Sequence, residues 1–141
     1  MSLKVKFKKL HPEAQEPFKK HTGDAGYDLY SVSDITIPAN VATSVPTGLS
    51  IKVPEGYYTE IHTRSSHGLQ GVRNHLGIID TGYFGEITVI MNSPVEYKVN
   101  KGDRVGQLIF RKRIGAKFIE AGEGEEFVSD RNTNGFGSTG K

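Results

Sequence analysis

Cysteine and tryptophan are absent from the 141 residues, and methionine occurs only twice. Without cysteine there is neither a disulfide framework nor a thiolate-bound zinc, and a reducing cytoplasm is the expected setting. Long hydrophobic runs are missing as well. Nothing approaches the roughly 20 apolar residues of a membrane-spanning helix, so no membrane partner is expected. The N-terminal MSLKVKFKKL alternates apolar and basic residues, where a signal peptide needs a continuous apolar stretch. Neither charge sign dominates: 18 Lys and Arg stand against 16 Asp and Glu, a formal charge of +2. That balance carries no electrostatic footprint for nucleic acid, and none is expected as a partner. The five histidines, His11, His21, His62, His67 and His75, show no metal-ligand spacing.

Glycine dominates what remains, with 17 residues, joined by six prolines. They cut the chain into short pieces, and the pieces carry strand signatures. Leu3, Val5 and Phe7 alternate with lysines. Ile35-Thr36-Ile37, Val41 to Val53 with a break at Pro46, and Tyr57 to Ile61 are strand-like. So are Glu86 to Met91, Val95 to Val99 and Val105 to Phe110, while Ser65 to Gly71 admits one short helix. Many short strands at regular spacing point to an all-β fold, a jelly-roll-like β-barrel or sandwich, over residues 1–120. From residue 121 to 141 the chain is acidic, then polar and glycine-rich, and cannot bury enough apolar surface to fold alone. A frayed terminus is one reading of this arm. Arg131, Phe136 and the run Gly137-Ser138-Thr139-Gly140 suggest another, since they offer a cation, an aromatic face and amides free to wrap an anion.

Several polar residues could carry chemistry, and each has an ordinary alternative. Asp28, between Tyr27 and Leu29, faces opposite to both on a strand, and on its own reads as a solvated carboxylate. Arg64-Ser65-Ser66 suits a helix cap or a phosphate, because an arginine fork, hydroxyls and N-terminal amides fit both. Gln107 sits on an otherwise apolar strand and needs a partner if buried. Asp80 follows Gly77-Ile78-Ile79, which looks like one arm of a tight hairpin, and precedes Thr81-Gly82, as a turn former does. Gly135 to Lys141 spells most of a Walker A loop, but no Ser or Thr follows to hold magnesium and no helix begins there.

Taken together, five islands resemble the motifs of the trimeric dUTPases in order and spacing. They are Ala25-Gly26-Tyr27-Asp28-Leu29; Thr63-Arg64-Ser65-Ser66; Gly77 to Gly85; Gly102 to Leu108; and Arg131 with Gly135 to Gly140. The resemblance implies hydrolysis of dUTP to dUMP and pyrophosphate, which limits uracil in DNA and supplies dUMP. It implies Asp80 as the base that activates the attacking water, and Asp28 holding water ligands of Mg²⁺ chelated by the triphosphate. Arg64, Ser65, Ser66 and Gln107 would meet phosphates. Gly77, Ile79 and Asn74 would read uracil, Tyr83 would pack under deoxyribose, and Phe136 would stack on the base. Arg131, Gly137, Ser138 and Thr139 would close over the β- and γ-phosphates. It further implies a homotrimer whose sites combine one chain's third motif with another chain's arm. Ser66 and Asn132 stand where the family usually has glycine.

Two rival readings share part of this pattern. A dCTP deaminase shares the Arg-Ser-Ser motif but needs a carboxylate where this chain has Ile90. A regulatory module gated by nucleotide would need only binding, whereas this chain keeps every expected catalytic group.

Overall fold

The computed structural model describes residues 2–135. Eleven strands and one short helix follow in order: β1 (Lys6–Lys9), β2 (Tyr27–Tyr30), β3 (Ile35–Ile37), β4 (Thr43–Pro46), β5 (Leu49–Lys52) and β6 (Tyr57–His62). Then come α1 (Ser65–Leu69), β7 (Arg73–Asn74), β8 (Gly77–Ile79), β9 (Thr88–Asn92), β10 (Tyr97–Val99) and β11 (Arg104–Lys112). All strand pairs are antiparallel. The largest sheet runs β2-β11-β6-β8, a second runs β4-β9-β7, and two strand pairs, β1-β5 and β10-β3, complete the body. The all-β expectation holds. Among the described residues no helix is long and apolar enough to cross a membrane.

Period-two alternation builds a single core. In β9, Val89 and Met91 are buried while Ile90 and Asn92 face out. In β6, Thr59 and Ile61 go inward and Tyr58, Glu60 and His62 lie on the other face. Leu29, Ile37, Val45, Leu49, Ile61, Val89, Val99 and Leu108 draw strands of all four sheets into one apolar cluster. At about 25 cal/mol per Å² of apolar area, that shared burial is the main force holding the sheets together.

The break expected at Pro46 is a change of sheet. β4 pairs with β9, whereas β5, a few residues later, pairs with β1. Pro46 ends an edge strand, where its missing N–H costs no ladder bond. Thr47, fully buried, donates its hydroxyl to the Ile87 carbonyl at 2.6 Å. Gly48 then turns the chain with φ +70°, and a Cβ there would lie 2.9 Å from His11 Cβ. A left-handed backbone with no room for a side chain leaves glycine as the residue that fits.

After β11 the chain leaves the body. From Arg113 to Gly135 there is neither helix nor strand, and Ile114, Phe118, Ile119, Phe127 and Val128 are exposed, Phe118 to 97%. This exposed stretch runs into the arm expected from residue 121.

Gly48→Ala should cost about 2–5 kcal/mol, the left-handed penalty plus overpacking, measured by urea denaturation. A loss under about 1 kcal/mol would contradict the crowding described here.

Candidate functional site

The register of β11 against its neighbours places the polar residues. Gln107 lies opposite Asp28 of β2 on one side and His62 of β6 on the other, forming a row across three strands. Gly26 leaves space above this row: a Cβ on it would come within 3.1 Å of Gln107 Cβ. Past His62 the chain turns at Thr63, and Arg64 caps α1 with extended backbone. Its guanidinium thereby reaches back over the row to Asp28, Nε to Oδ1 at 3.5 Å. Arg104 approaches the same carboxylate from β11, Nε to Oδ2 at 3.9 Å.

These distances are electrostatic contacts, too long for good hydrogen bonds. Asp28 Oδ1 and Arg64 Nε are consequently both buried without a hydrogen-bond partner. Buried polar atoms are nearly always satisfied, so two orphans facing each other single this place out. Two arginines around one carboxylate leave a net positive pocket suited to a polyanion. Ser65 and Ser66 are exposed in the first turn of α1, and Arg64 Nη1 donates to Ser66 Oγ at 3.2 Å. Arg104 was not singled out from sequence. Its position in the Gly102–Leu108 island was a signal, but its approach to Asp28 depends on the register shift between Arg104 and Gly106.

Asn74 is tied into the wall beside the row. Its backbone N–H donates to Thr63 Oγ1 at 2.8 Å. Its side-chain amide donates to the carbonyls of His62 at 3.2 Å and Val105 at 3.0 Å. Both donors are thus used, and Oδ1 is buried without a partner. Gly106 permits the contact, since a Cβ there would sit 2.9 Å from Asn74 Nδ2.

Gly77 and Ile79 belong to β8, which pairs with β6 and forms the edge of its sheet. Its hydrogen-bonded partner is β6, so the segment is not one arm of a tight hairpin with the chain that follows Asp80. Asp80 is exposed at the end of β8. It lies level with Tyr58, between Ile79 opposite Thr59 and Thr81, whose hydroxyl donates to the Tyr57 carbonyl at 2.7 Å. Tyr83 closes the turn, its N–H donating to the Asp80 carbonyl at 3.2 Å and its hydroxyl to the Glu86 carbonyl at 2.9 Å. Its ring covers Gly85, where a Cβ would fall 2.5 Å from the phenol oxygen.

The structure therefore gathers Asp28, Arg64, Gln107 and Asn74 around one end of β6, and Asp80 and Tyr83 around the other. Four residues of extended strand separate the levels of Asp80 and His62, roughly 13 Å. One chain does not bring the two groups together. Arg131 lies in the arm, with its Nε donating to the Asn134 carbonyl at 2.5 Å. Phe136, Gly137, Ser138 and Thr139 lie outside the described residues.

On the same face of β6, Glu60 Oε1 takes His62 Nε2 at 2.8 Å and Arg111 Nε at 3.1 Å. These bonds, His62 first, hold the Glu60 carboxyl below its ordinary pKa. Among the described residues no group of three His, Cys, Asp or Glu could hold a metal ion.

A family model described as dUTPase matches residues 13–140. The deoxyuridine 5'-triphosphate nucleotidohydrolase of Thermobifida fusca is 38% identical over 146 residues, covering 99% of this chain and 80% of that protein. That of Helicobacter pylori is 36% identical over 143 residues, covering 98% of this chain and 97% of that protein. A variant of the Staphylococcus bacteriophage 80alpha dUTPase with dUpNHpp superposes with a TM-score of 0.89 at 24% identity, covering 99% of this chain and 100% of that chain. At that identity the likeness speaks for the fold.

His67, on α1 beside the arginine, is 7% exposed, and its Nδ1 has no partner. Burial first, then the positive charge of Arg64, lowers its pKa below the ordinary value, with Asp103 opposing. The unfolded chain binds this proton more readily than the fold does. The stability tied to neutral His67 is therefore complete above about pH 6.5 and is lost as pH falls through the lower folded value. His67→Gln should remove that part of the acid destabilisation, seen as a flatter melting profile below about pH 6.5. An unchanged slope would contradict the assignment.

Proposed function

We infer that this chain, which belongs to the dUTPase family, hydrolyses dUTP to dUMP and pyrophosphate. The reaction lowers the dUTP available for incorporation into DNA and leaves dUMP as product. The observation that carries the site assignment is the pair of orphaned, buried atoms, Asp28 Oδ1 and Arg64 Nε, in a net positive pocket.

In the proposed mechanism Asp80 accepts a proton from a water as that water's oxygen bonds to the α-phosphorus. The bond from the α-phosphorus to the oxygen bridging to the β-phosphorus breaks, and pyrophosphate leaves with that oxygen. The exposed carboxylate of Asp80 is open to such a water. Arg64, Ser65, Ser66 and Gln107 bind phosphate oxygens, with Arg64 stabilising the charge that spreads over them. Arg131, Gly137, Ser138 and Thr139 bring further donors to the β- and γ-phosphates.

Uracil is read by backbone. β8 is an edge strand, so Gly77 and Ile79 lie where main-chain donors and acceptors can face a base edge. Obligatory hydrogen bonds discriminate far more sharply than an apolar slot. Asn74 Oδ1 is the acceptor left for the base, its donors being used. Tyr83, fixed by its turn, supports the deoxyribose, and Phe136 stacks on uracil with about 1–3 kcal/mol.

The donor set fits a cation carried in by the substrate. Asp28 offers one carboxylate, ion-paired with Arg64 and Arg104, beside the phosphate donors, and Mg²⁺ keeps most of its waters while binding few carboxylates. Bound Mg²⁺ would neutralise triphosphate charge.

The separation of Asp80 from the Asp28 row, together with the exposed apolar residues of the arm, supports a homotrimer with sites shared between chains. Phe118, Ile119, Phe127 and Val128 have no core of their own to join, and another copy's surface gives them one. The absence of cysteine accords with a cytoplasmic setting.

Pyrophosphate release from dUTP, UTP, dCTP and dTTP, with and without Mg²⁺, is the test. Turnover should select dUTP and require Mg²⁺, and Asp80→Asn should lower it by about 10²–10⁴ while sparing nucleotide binding. Ammonia release from dCTP would overturn the reading, and full activity in Asp80→Asn would remove Asp80 as the base.

A further inference from the structure

Asn134 is followed by Gly135, and this is the one Asn–Gly pair in the chain. The other asparagines, Asn40, Asn74, Asn92, Asn100 and Asn132, precede residues with a Cβ. The pair lies in the arm, outside helix and strand, with Asn134 exposed. An asparagine side-chain carbonyl can be attacked by the backbone nitrogen of the next residue. Glycine there leaves the approach open and the backbone free to reach the required geometry.

The surrounding turn adds an electronic push. Arg131 Nε donates to the Asn134 carbonyl oxygen at 2.5 Å, and the Asn134 N–H returns to the Arg131 carbonyl at 3.0 Å. That carbonyl belongs to the peptide whose nitrogen is the Gly135 nitrogen. A cationic donor on the oxygen draws electron density from the peptide and favours the deprotonated, nucleophilic nitrogen. The same guanidinium borders Gly135, 3.8 Å from where a Cβ would stand. A second reciprocal pair, Ser129 N–H to Asn132 Oδ1 at 3.1 Å and Asn132 N–H to Ser129 Oγ at 3.0 Å, fixes the entry to the turn. No hydrogen bond restrains the Asn134 side-chain amide among the described residues.

We propose that Asn134 is a self-modifying site, deamidating through its own arm with Arg131 as the activating group. The Gly135 nitrogen gives its proton to solvent and bonds to Asn134 Cγ. The bond from Cγ to the side-chain nitrogen breaks, and that nitrogen leaves as ammonia after taking up a proton, so a succinimide forms. Water then opens the ring to an aspartyl or isoaspartyl residue, with no change of oxidation state. Resting on the reading of Arg131 as a phosphate ligand, the new carboxylate competes with the triphosphate for that guanidinium. The arm thereby loses affinity for its substrate with age.

The full-length protein incubated at mildly alkaline pH and mapped by peptide mass spectrometry tests this. Asn134 should convert ahead of every other asparagine. Arg131→Gln should slow it by on the order of tenfold, the worth of one charge-assisted hydrogen bond. Gly135→Ala, whose Cβ makes only an ordinary contact, should slow it further. Conversion of Asn134 no faster than Asn132, or a rate indifferent to Arg131→Gln, overturns the proposal whatever the enzyme's activity. Turnover of the converted fraction separates the two readings. A raised KM for dUTP supports both, whereas rapid conversion with KM unmoved removes Arg131 from the phosphates and leaves the modification standing.

Discussion

The position of every polar residue on the large sheet depends on how β11 pairs on its two edges. Its longest ladder, to β6, fixes Gln107 opposite His62, and its ladder to β2 fixes Gln107 opposite Asp28. The bulge between Arg104 and Gly106 then brings a second arginine to the carboxylate. Because side chains alternate with period two, a slip of β11 by one residue would send Gln107 into the core, away from the face of Asp28, and Leu108 to solvent. Burial of Leu108 thus sets the geometry of the anion pocket. The fold and the site are held by one register.

That register also keeps the two halves of the chemistry apart. Asp80 stands at the Tyr57–Tyr58 end of β6, and Arg64 beyond its His62 end. Strands are stiff, so no local rearrangement closes a gap of roughly 13 Å along β6. The arm leaves from the Lys112 end of β11, which is the Tyr57 end of β6, and carries its apolar residues away from the body. In the proposed function, a sheet that places base and phosphate donors at opposite ends, and a stretch whose apolar residues are exposed, would both find their complement in further copies of the chain. The proposed trimer answers both.

Local features of this design were legible in the sequence. Alternation gave the strands around Ile35, Tyr57, Val89 and Leu108, and the outward face of Asp28 followed from its apolar neighbours. The one helix appeared where the serines and two glycines allowed it. What escaped was non-local. The passage of the chain between sheets at Thr47-Gly48 depends on Ile87, forty residues away. The use of both Asn74 donors depends on His62 and Val105, and the role of Arg104 depends on a bulge. The exposure of Ile114, Phe118 and Ile119 was also hidden, because they look like residues bound for a core. Their composition is that of a folded segment, yet all three are exposed.

The central claim is that base and arm meet between chains. Mixed trimers of Asp80→Asn chains and chains ending at Ser129 test it directly, each parent being expected to turn over dUTP far more slowly than the unaltered chain. If sites are shared, refolding the two together restores dUTP turnover, since some sites then combine an intact Asp80 with an intact arm. Continued slow turnover by a mixture shown to contain both chains in one assembly would place the whole site within a single chain and contradict the account.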